Sequence, residues 1–335
     1  MTSRTTRAGT APRGPSHYDT VTERVLEALR QGTPPWRRPW DKSKCGSSRS
    51  GAFAGGSLPR NALTGVSYRG LNTILLSMAP FQLETGDPRW ATYKQAQSKG
   101  WQVREGEKGT PAFFYKRFDA RAGGGEEEDD AHARRGHAML KCFTLFHAGQ
   151  MDGVPDYAPP TPEEAPWRLP DAADTIVRES RAVIREGGDR AFYSPGTDRI
   201  QMPPRSAFAT ADHFVSVILH EMSHWSGAAH RLNRDLSHPF GSTEYAREEL
   251  VAELSQIIVC GELGLSGCAF TNGAAYVASW LSILANDHRE IFRAAAAAQR
   301  AADYILAFHP AWKSRATPAP EPANDGQDET AREAA

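Results

Sequence analysis

The chain has 335 residues, 40% of them hydrophobic and 24% charged, which suits two ordinary packed domains and excludes a wholly disordered or fibrous protein. No run of about 18 apolar residues occurs, which excludes a membrane-spanning helix, and the polar, Arg-rich residues 1–14 do not have the apolar stretch of a secretory signal. The net charge of −1 conceals an asymmetry: residues 1–117 carry 19 Lys and Arg against 8 Asp and Glu, and residues 118–335 carry 20 against 32. A polyanion is therefore expected as partner of the first half only. Cys45, Cys142, Cys260 and Cys268 form no C-x-x-C pair, so no cysteine zinc site is expected, and scattered thiols without a signal point to a reducing cytoplasm.

In chain order, residues 1–17 read as a disordered leader. Residues 17–31 have helical apolar spacing (Tyr18, Val21, Val25, Leu26, Leu29), stopped by Gly32-Thr33-Pro34-Pro35. A Gly- and Ser-rich loop at 45–57 precedes short helices over 69–78 and 92–99. Residues 111–118 and 140–147 read as strands. Between them, at about 119–137, lies a glycine-rich acidic insertion expected to be a disordered loop. The first domain is thus α+β and spans 18–150. Six prolines between 151 and 170 mark a linker. The second domain, 171–312, opens with a helix over 172–186. A strand pair, Ala191-Phe192-Tyr193 and Arg199-Ile200-Gln201-Met202, follows, joined by Pro195-Gly196-Thr197-Asp198. Helices are predicted over 211–225, 243–260, 274–284 and 287–308, and 313–335 read as a disordered tail.

His220-Glu221-Met222-Ser223-His224 fits H-E-x-x-H. Helical spacing brings residues i and i+4 to one face, so both imidazoles can meet one cation with the carboxylate beside it. Zinc, or another divalent metal, would acidify a water whose proton Glu221 takes. The motif extends through Gly227 to His230, which completes the metzincin spacing, yet no methionine follows Met222 to form the turn metzincins need. The gluzincin alternative draws its third ligand from a later helix. Glu249 is the first choice there, with Glu253 one turn on to orient an imidazole, and His230, Glu253 or Glu248 as alternative ligands. On the plainer reading these glutamates are a solvated helix face. The strand 199–202 is taken as an edge along the cleft, able to pair with an extended substrate. Tyr193 and His213 are candidate oxyanion partners.

In the first half, cations and aromatic rings interleave: Trp36, Arg60, Tyr68, Arg69, Trp90, Lys94, Arg104 and Lys108 are the candidate contacts. A basic groove that follows phosphates, with rings that stack bases, binds single strands without sequence preference. Each residue also has a plain reading, with Trp90 and Tyr68 as core and Arg104 and Lys108 as soluble surface.

The first half resembles the N-terminal domain of ArdC antirestriction proteins. The resemblance is carried by Gly32-Thr33-Pro34-Pro35-Trp36, Pro59-Arg60-Asn61, Tyr68-Arg69-Gly70-Leu71-Asn72, Arg89-Trp90-Ala91-Thr92-Tyr93-Lys94-Gln95-Ala96 and Val103-Arg104-Glu105-Gly106-Glu107-Lys108-Gly109-Thr110. The second half is similar to the zincin-like metallopeptidase domain of the same proteins in Arg190-Ala191-Phe192-Tyr193-Ser194-Pro195, Ile200-Gln201-Met202-Pro203-Pro204, residues 220–234 and residues 245–254. The resemblance implies a protein of a plasmid or other mobile element, with an α+β single-stranded-DNA-binding domain ahead of a mainly helical zincin-like domain holding a small sheet. It implies protection of incoming DNA from host restriction, with a host protein such as a restriction enzyme as a candidate substrate. It also maps the family's Glu-rich helix onto Glu249. The rival reading is a DNA-binding accessory of replication or conjugation whose metal site is not catalytic.

Overall fold

The computed structural model describes residues 16–30, 58–117, 138–158, 170–208, 210–265 and 273–316. Trp36, most of the leader, the Gly- and Ser-rich loop, the acidic insertion and most of the linker and tail lie outside the described residues.

The first half is built on a four-stranded sheet of order β1 (Arg60–Asn61), β2 (Arg89–Ala91), β5 (Ala138–His147) and β4 (Thr110–Arg117). β4 and β5 pair antiparallel along their length, from Thr110 opposite Leu145 to Arg117 opposite Ala138. Strand alternation puts Ala112, Leu145 and Trp90 on one face, where they pack on Leu76 and Ala79. Those two come from α2 (Leu71–Ser77) and the residue preceding α3 (Pro80–Thr85). The six-residue α4 (Tyr93–Ser98) is held by a reciprocal cap: Thr92 accepts from the Gln95 N–H, and the Gln95 side chain accepts from the Thr92 N–H. A second ladder, β3 (Gln102–Val103) with β6 (Met151–Asp152), carries this half past the boundary expected at 150.

In the second half α5 (Asp171–Ser180) stops six residues short of the helix expected to reach 186. Ser180 Oγ donates to the Val177 carbonyl and accepts from the Ala182 N–H. Arg181 then turns left-handed at φ 55°, and the β-branched Val183 and Ile184 enter β7 (Val183–Glu186). β7 pairs parallel with β9 (Arg199–Met202), and β8 (Phe192–Ser194) pairs antiparallel on the other side. The strand expected at the sheet edge, 199–202, is therefore the central one; β7 and β8 are the edges, and β8 is the one that borders the cleft.

Four helices follow: α6 (Ala211–Ser226), capped by Thr210; α7 (Thr243–Glu262), capped by Ser242; α8 (Gly273–Asn286); and α9 (Glu290–Leu306). α7 is buried without interruption from Glu249 to Gly261, between α6 and α9. The buried alanines of α9 (Ala294, Ala295, Ala298, Ala301, Ala302) keep its contact face small, so it can lie close to α7.

The core also crosses between the halves. α1 (His17–Arg30) lays Val21, Val25, Leu26 and Leu29 into the same cluster as Trp280, Ile283 and Leu284 of α8. Thr22 Oγ1 donates to the His288 carbonyl at 2.7 Å, and Tyr18 packs on Phe292 with ring centroids 4.7 Å apart. Arg69 pairs with Asp303, and the Gly70 N–H donates to Gln299 Oε1 at 2.7 Å. Among the described residues no helix is long and apolar enough to cross a membrane.

Candidate metal centre

α6 runs through the core with His220 and Glu221 buried and His224 nearly so. α7 crosses it and presents Glu249. One nitrogen of each histidine and a Glu249 oxygen all lie within 4.8 Å of one another. His220 Nε2 is 3.6 Å and His224 Nε2 3.5 Å from the Glu249 carboxylate. The adjacent glutamate takes the other side of the same ring: His224 Nδ1 donates to Glu248 Oε1 at 3.2 Å. Consecutive helical residues point about 100° apart, which lets Glu248 and Glu249 straddle one imidazole. The orienting role expected of Glu253 thus falls to Glu248. Glu253, one turn further along α7 and 3% exposed, instead adds its charge beside His220.

Burial opposes a charge on His220, but the bond to Glu249 and the charges of Glu221, Glu249 and Glu253 prevail and raise it to about 9. Burial pushes Glu249 up, but the His220 bond, both imidazoles and a hydrogen bond from Tyr245 hold it at about 2. Burial raises the Glu221 carboxyl, although His220 and His224 oppose the shift and the Tyr193 backbone N–H bonds it. The donor set therefore gathers positive charge wherever it can. Two imidazoles and a carboxylate converging from two rigid helices fit a divalent cation, which would replace the imidazole protons.

These side chains form one wall of a cleft of about 740 Å³. β8 and the residues before it, from Asp189, form another, and Leu236, His238 and Phe240 a third. Tyr245, one helical turn before Glu249, bonds both that carboxylate and Tyr276 of α8. Burial and the Glu249 charge push both phenols up, so both stay protonated donors. Phe240, 80% exposed, packs its ring 5.3 Å from that of Tyr245 and 6.5 Å from that of Tyr276.

Several sequence candidates stand elsewhere. His230 is 64% exposed in its side chain, accepts from Arg231 Nη1 at 2.6 Å and faces Asp198 at 3.4 Å, outside the ligand group. The Tyr193 hydroxyl donates to Asp198 Oδ1 at 2.8 Å and accepts from Arg231; it is the backbone of Tyr193 that meets Glu221. His213 lies in the first turn of α6 and does not line the cleft. The tyrosine pair went unread because it joins two helices, although Tyr245 at four residues before Glu249 was a usable signal.

The candidate DNA contacts scatter. Trp90 is fully buried and donates from Nε1 to Gln82 Oε1 at 3.0 Å, so its ring offers no face to a base. Arg69 is tied to Asp303. Arg104 bonds Glu107, Asp152 and the Gly149 carbonyl. Lys108 is exposed, with its carbonyl accepting from Gln150. Asn61 bonds both Gln95 and the Tyr68 hydroxyl, which gathers Arg60, Tyr68 and the exposed Lys94 into one neighbourhood.

Residues 15–146 match the family model of the N-terminal domain of anti-restriction factor ArdC, and residues 171–297 that of a zincin-like metallopeptidase. The DNA primase TraC of Escherichia coli is 41% identical over 310 residues, which cover 87% of this chain but 27% of the primase. The chain thus corresponds to about a quarter of that relative. The protein y4eC of Sinorhizobium fredii is 38% identical over 297 residues, covering 87% of this chain and 91% of y4eC. The metal-free crystal structure of the antirestriction ArdC protein from plasmid R388 aligns with a TM-score of 0.69 and 33% identity, covering 87% of this chain and 97% of that one. Its Mn(II)-bound form aligns with a TM-score of 0.67. The likeness runs through both halves and the metal-site helices alike, and the chain belongs to the ArdC family of antirestriction proteins.

Proposed function

We propose that this protein binds single-stranded DNA as it enters a cell and shields it from restriction, and that its second half is a zinc peptidase acting on an extended segment of a host protein. The observation that carries the enzymatic reading is the placement of Glu221 beside the His220, His224 and Glu249 cluster, in a cleft bordered by an edge strand. A purely structural metal site needs neither a spare buried carboxylate nor an open cleft.

A divalent cation, when bound, supplies a Lewis acid that polarises a peptide carbonyl and acidifies water. Glu221 takes the proton of the attacking water and returns it to the leaving amine, a double task suited to a carboxyl whose proton affinity burial has raised. The outer side of edge strand β8 borders the cleft, where an extended chain can lie along it. Tyr245 holds Glu249, and the Tyr276 hydroxyl beside it holds Tyr245 in turn, which fixes the carboxylate from the α8 side.

The test is survival of unmodified plasmid DNA entering a restricting host that carries the wild type or Glu221→Gln. That substitution keeps the histidines and the side-chain shape and removes the base. Protection is expected to fall to the level of cells lacking the protein, while binding to an oligo-dT strand is retained. Unchanged protection would overturn the enzymatic reading and leave the DNA-binding accessory, which the match to part of a primase supports. In the same full-length protein, oligo-dT affinity is expected to fall at least about tenfold between 50 and 200 mM salt through counterion release. An affinity indifferent to salt would remove the electrostatic groove.

A further inference from the structure

Gly227 and His230 complete a metzincin spacing, but His230 stands outside the ligand group. The turn after α6 explains the spacing differently. The chain folds back on itself at once: the Leu232 N–H donates to the Ser226 carbonyl at 3.0 Å and the Arg234 N–H to the Gly227 carbonyl at 2.8 Å. Asn233 takes φ 50° at the bend. This returns Arg234 over the end of the helix it has just left.

There all three nitrogens of the Arg234 guanidinium donate. It donates to Glu248 Oε2 at 3.0 Å from Nε and to Glu248 Oε1 at 2.8 Å from Nη2, a bidentate fork. It also donates to Ser226 Oγ at 3.1 Å and to the Ser223 carbonyl. Its side chain is 13% exposed, and that of Glu248 is 12% exposed. Glu248 Oε1 is the same oxygen that accepts from His224 Nδ1. A carboxylate only accepts, so Nδ1 carries a proton, and Nε2 is the nitrogen turned to the ligand group, the one whose lone pair a cation would take.

Gly227 has φ −78°, a conformation open to any residue. What it lacks is room. A Cβ there would stand 2.9 Å from Arg234 Nη2, 3.0 Å from Arg234 Cζ and 3.0 Å from the His224 carbonyl oxygen. An arginine tip normally yields to such a contact, but this one is fixed by its hydrogen bonds, and yielding would break the fork to Glu248.

We propose that Arg234 is a positioning residue of the metal centre, acting through Glu248 to fix the tautomer and aim of His224, and that Gly227 is a glycine to let its guanidinium pass. The glycine of the extended motif thus serves an arginine rather than a returning histidine. The proposal rests on His220, His224 and Glu249 being the ligands.

The experiment is Mn(II) affinity by titration of the full chain, with the visible spectrum of the Co(II)-loaded protein as a report on ligand geometry, for wild type, Arg234→Met, Arg234→Lys and Gly227→Ala. Loss of an outer partner of a ligating histidine lowers metal affinity by about ten- to a hundredfold. That loss is expected for Arg234→Met and Gly227→Ala, with an altered Co(II) spectrum. Arg234→Lys, which keeps the charge and loses the fork, is expected to recover part of it. Alanine favours helix more than glycine does, so Gly227→Ala is the decisive variant should Arg234→Met fail to fold. Affinity within about twofold of wild type and an unchanged spectrum in Gly227→Ala would overturn the proposal. Glu249→Ala is titrated alongside. If it too keeps the metal, the ligand assignment is at fault; if it alone loses the metal, only the role of Arg234 is.

Discussion

Glu249→Ala is expected to abolish stoichiometric Mn(II) or Zn(II) binding, while His230→Ala binds within about twofold of wild type. Removing an outer-shell partner already costs about ten- to a hundredfold in affinity, so removing one of three direct ligands is expected to cost more than about a hundredfold. The two imidazoles left behind would also lose the carboxylate that sits 3.6 Å and 3.5 Å from them. With it goes the only negative ligand of the group. Burial then favours their neutral forms, and a dication would enter a site with less to balance its charge. His230 has no such stake, since its ring is exposed and occupied with Arg231 and Asp198. Equilibrium dialysis of the purified variants decides the matter. Metal loss in His230→Ala with retention in Glu249→Ala would restore the metzincin reading.

Much of this centre was legible in the sequence, because both halves of it are local in the chain. His220, Glu221 and His224 share a helical face by spacing alone, and the absence of a methionine after Met222 turned attention to the later helix. The division of labour along that helix was not legible. Choosing between Glu248 and Glu253 as the imidazole's partner depends on how α7 is rotated against α6, which no pattern on α7 encodes. The same limit explains β9. Its alternation marked it as a strand, but its central position follows from β7, and β7 read as the end of a helix because Ile176, Val177 and Ile184 keep helical spacing. A hydrogen bond at Ser180 and a left-handed Arg181 broke that pattern. Trp90 shows the converse. An aromatic beside an arginine suits stacking on a base, yet Arg89 is held by Asp87 in a fork while Trp90 turns into the core.

Removing residues 1–30 is expected to destabilise the metal-binding half as severely as it does the basic half to which those residues belong in sequence. Val21, Val25, Leu26 and Leu29 are each at most 2% exposed. Burying an aliphatic side chain of this size stabilises by roughly 1.5–3 kcal/mol, so four give about 6–12 kcal/mol. That is an upper bound, because an unfolded chain already hides part of its apolar surface. Even half of it is comparable with the whole stability of an ordinary domain, about 5–15 kcal/mol. The face uncovered belongs to α8, which carries Tyr276 to the cleft and Trp280 against α7, where Trp280 Nε1 donates to the Ala246 carbonyl at 2.8 Å. A chain starting at residue 31 should therefore unfold at markedly lower urea concentration and bind Mn(II) more weakly, although every metal ligand is present. The intact protein should unfold in one transition by both circular dichroism and tryptophan fluorescence. Two separated transitions, or an unchanged midpoint in the truncated chain, would show that α1 is an appendage and the halves are independent. If instead the halves stand or fall together, Arg69 on one side and Asp303 on the other hold the basic half at a fixed place on α9. α9 in turn packs along α7, the helix that carries Glu248 and Glu249. The basic half and the metal centre then share one rigid frame, and a DNA strand bound to the first as proposed would be presented at a constant distance from the cleft of the second.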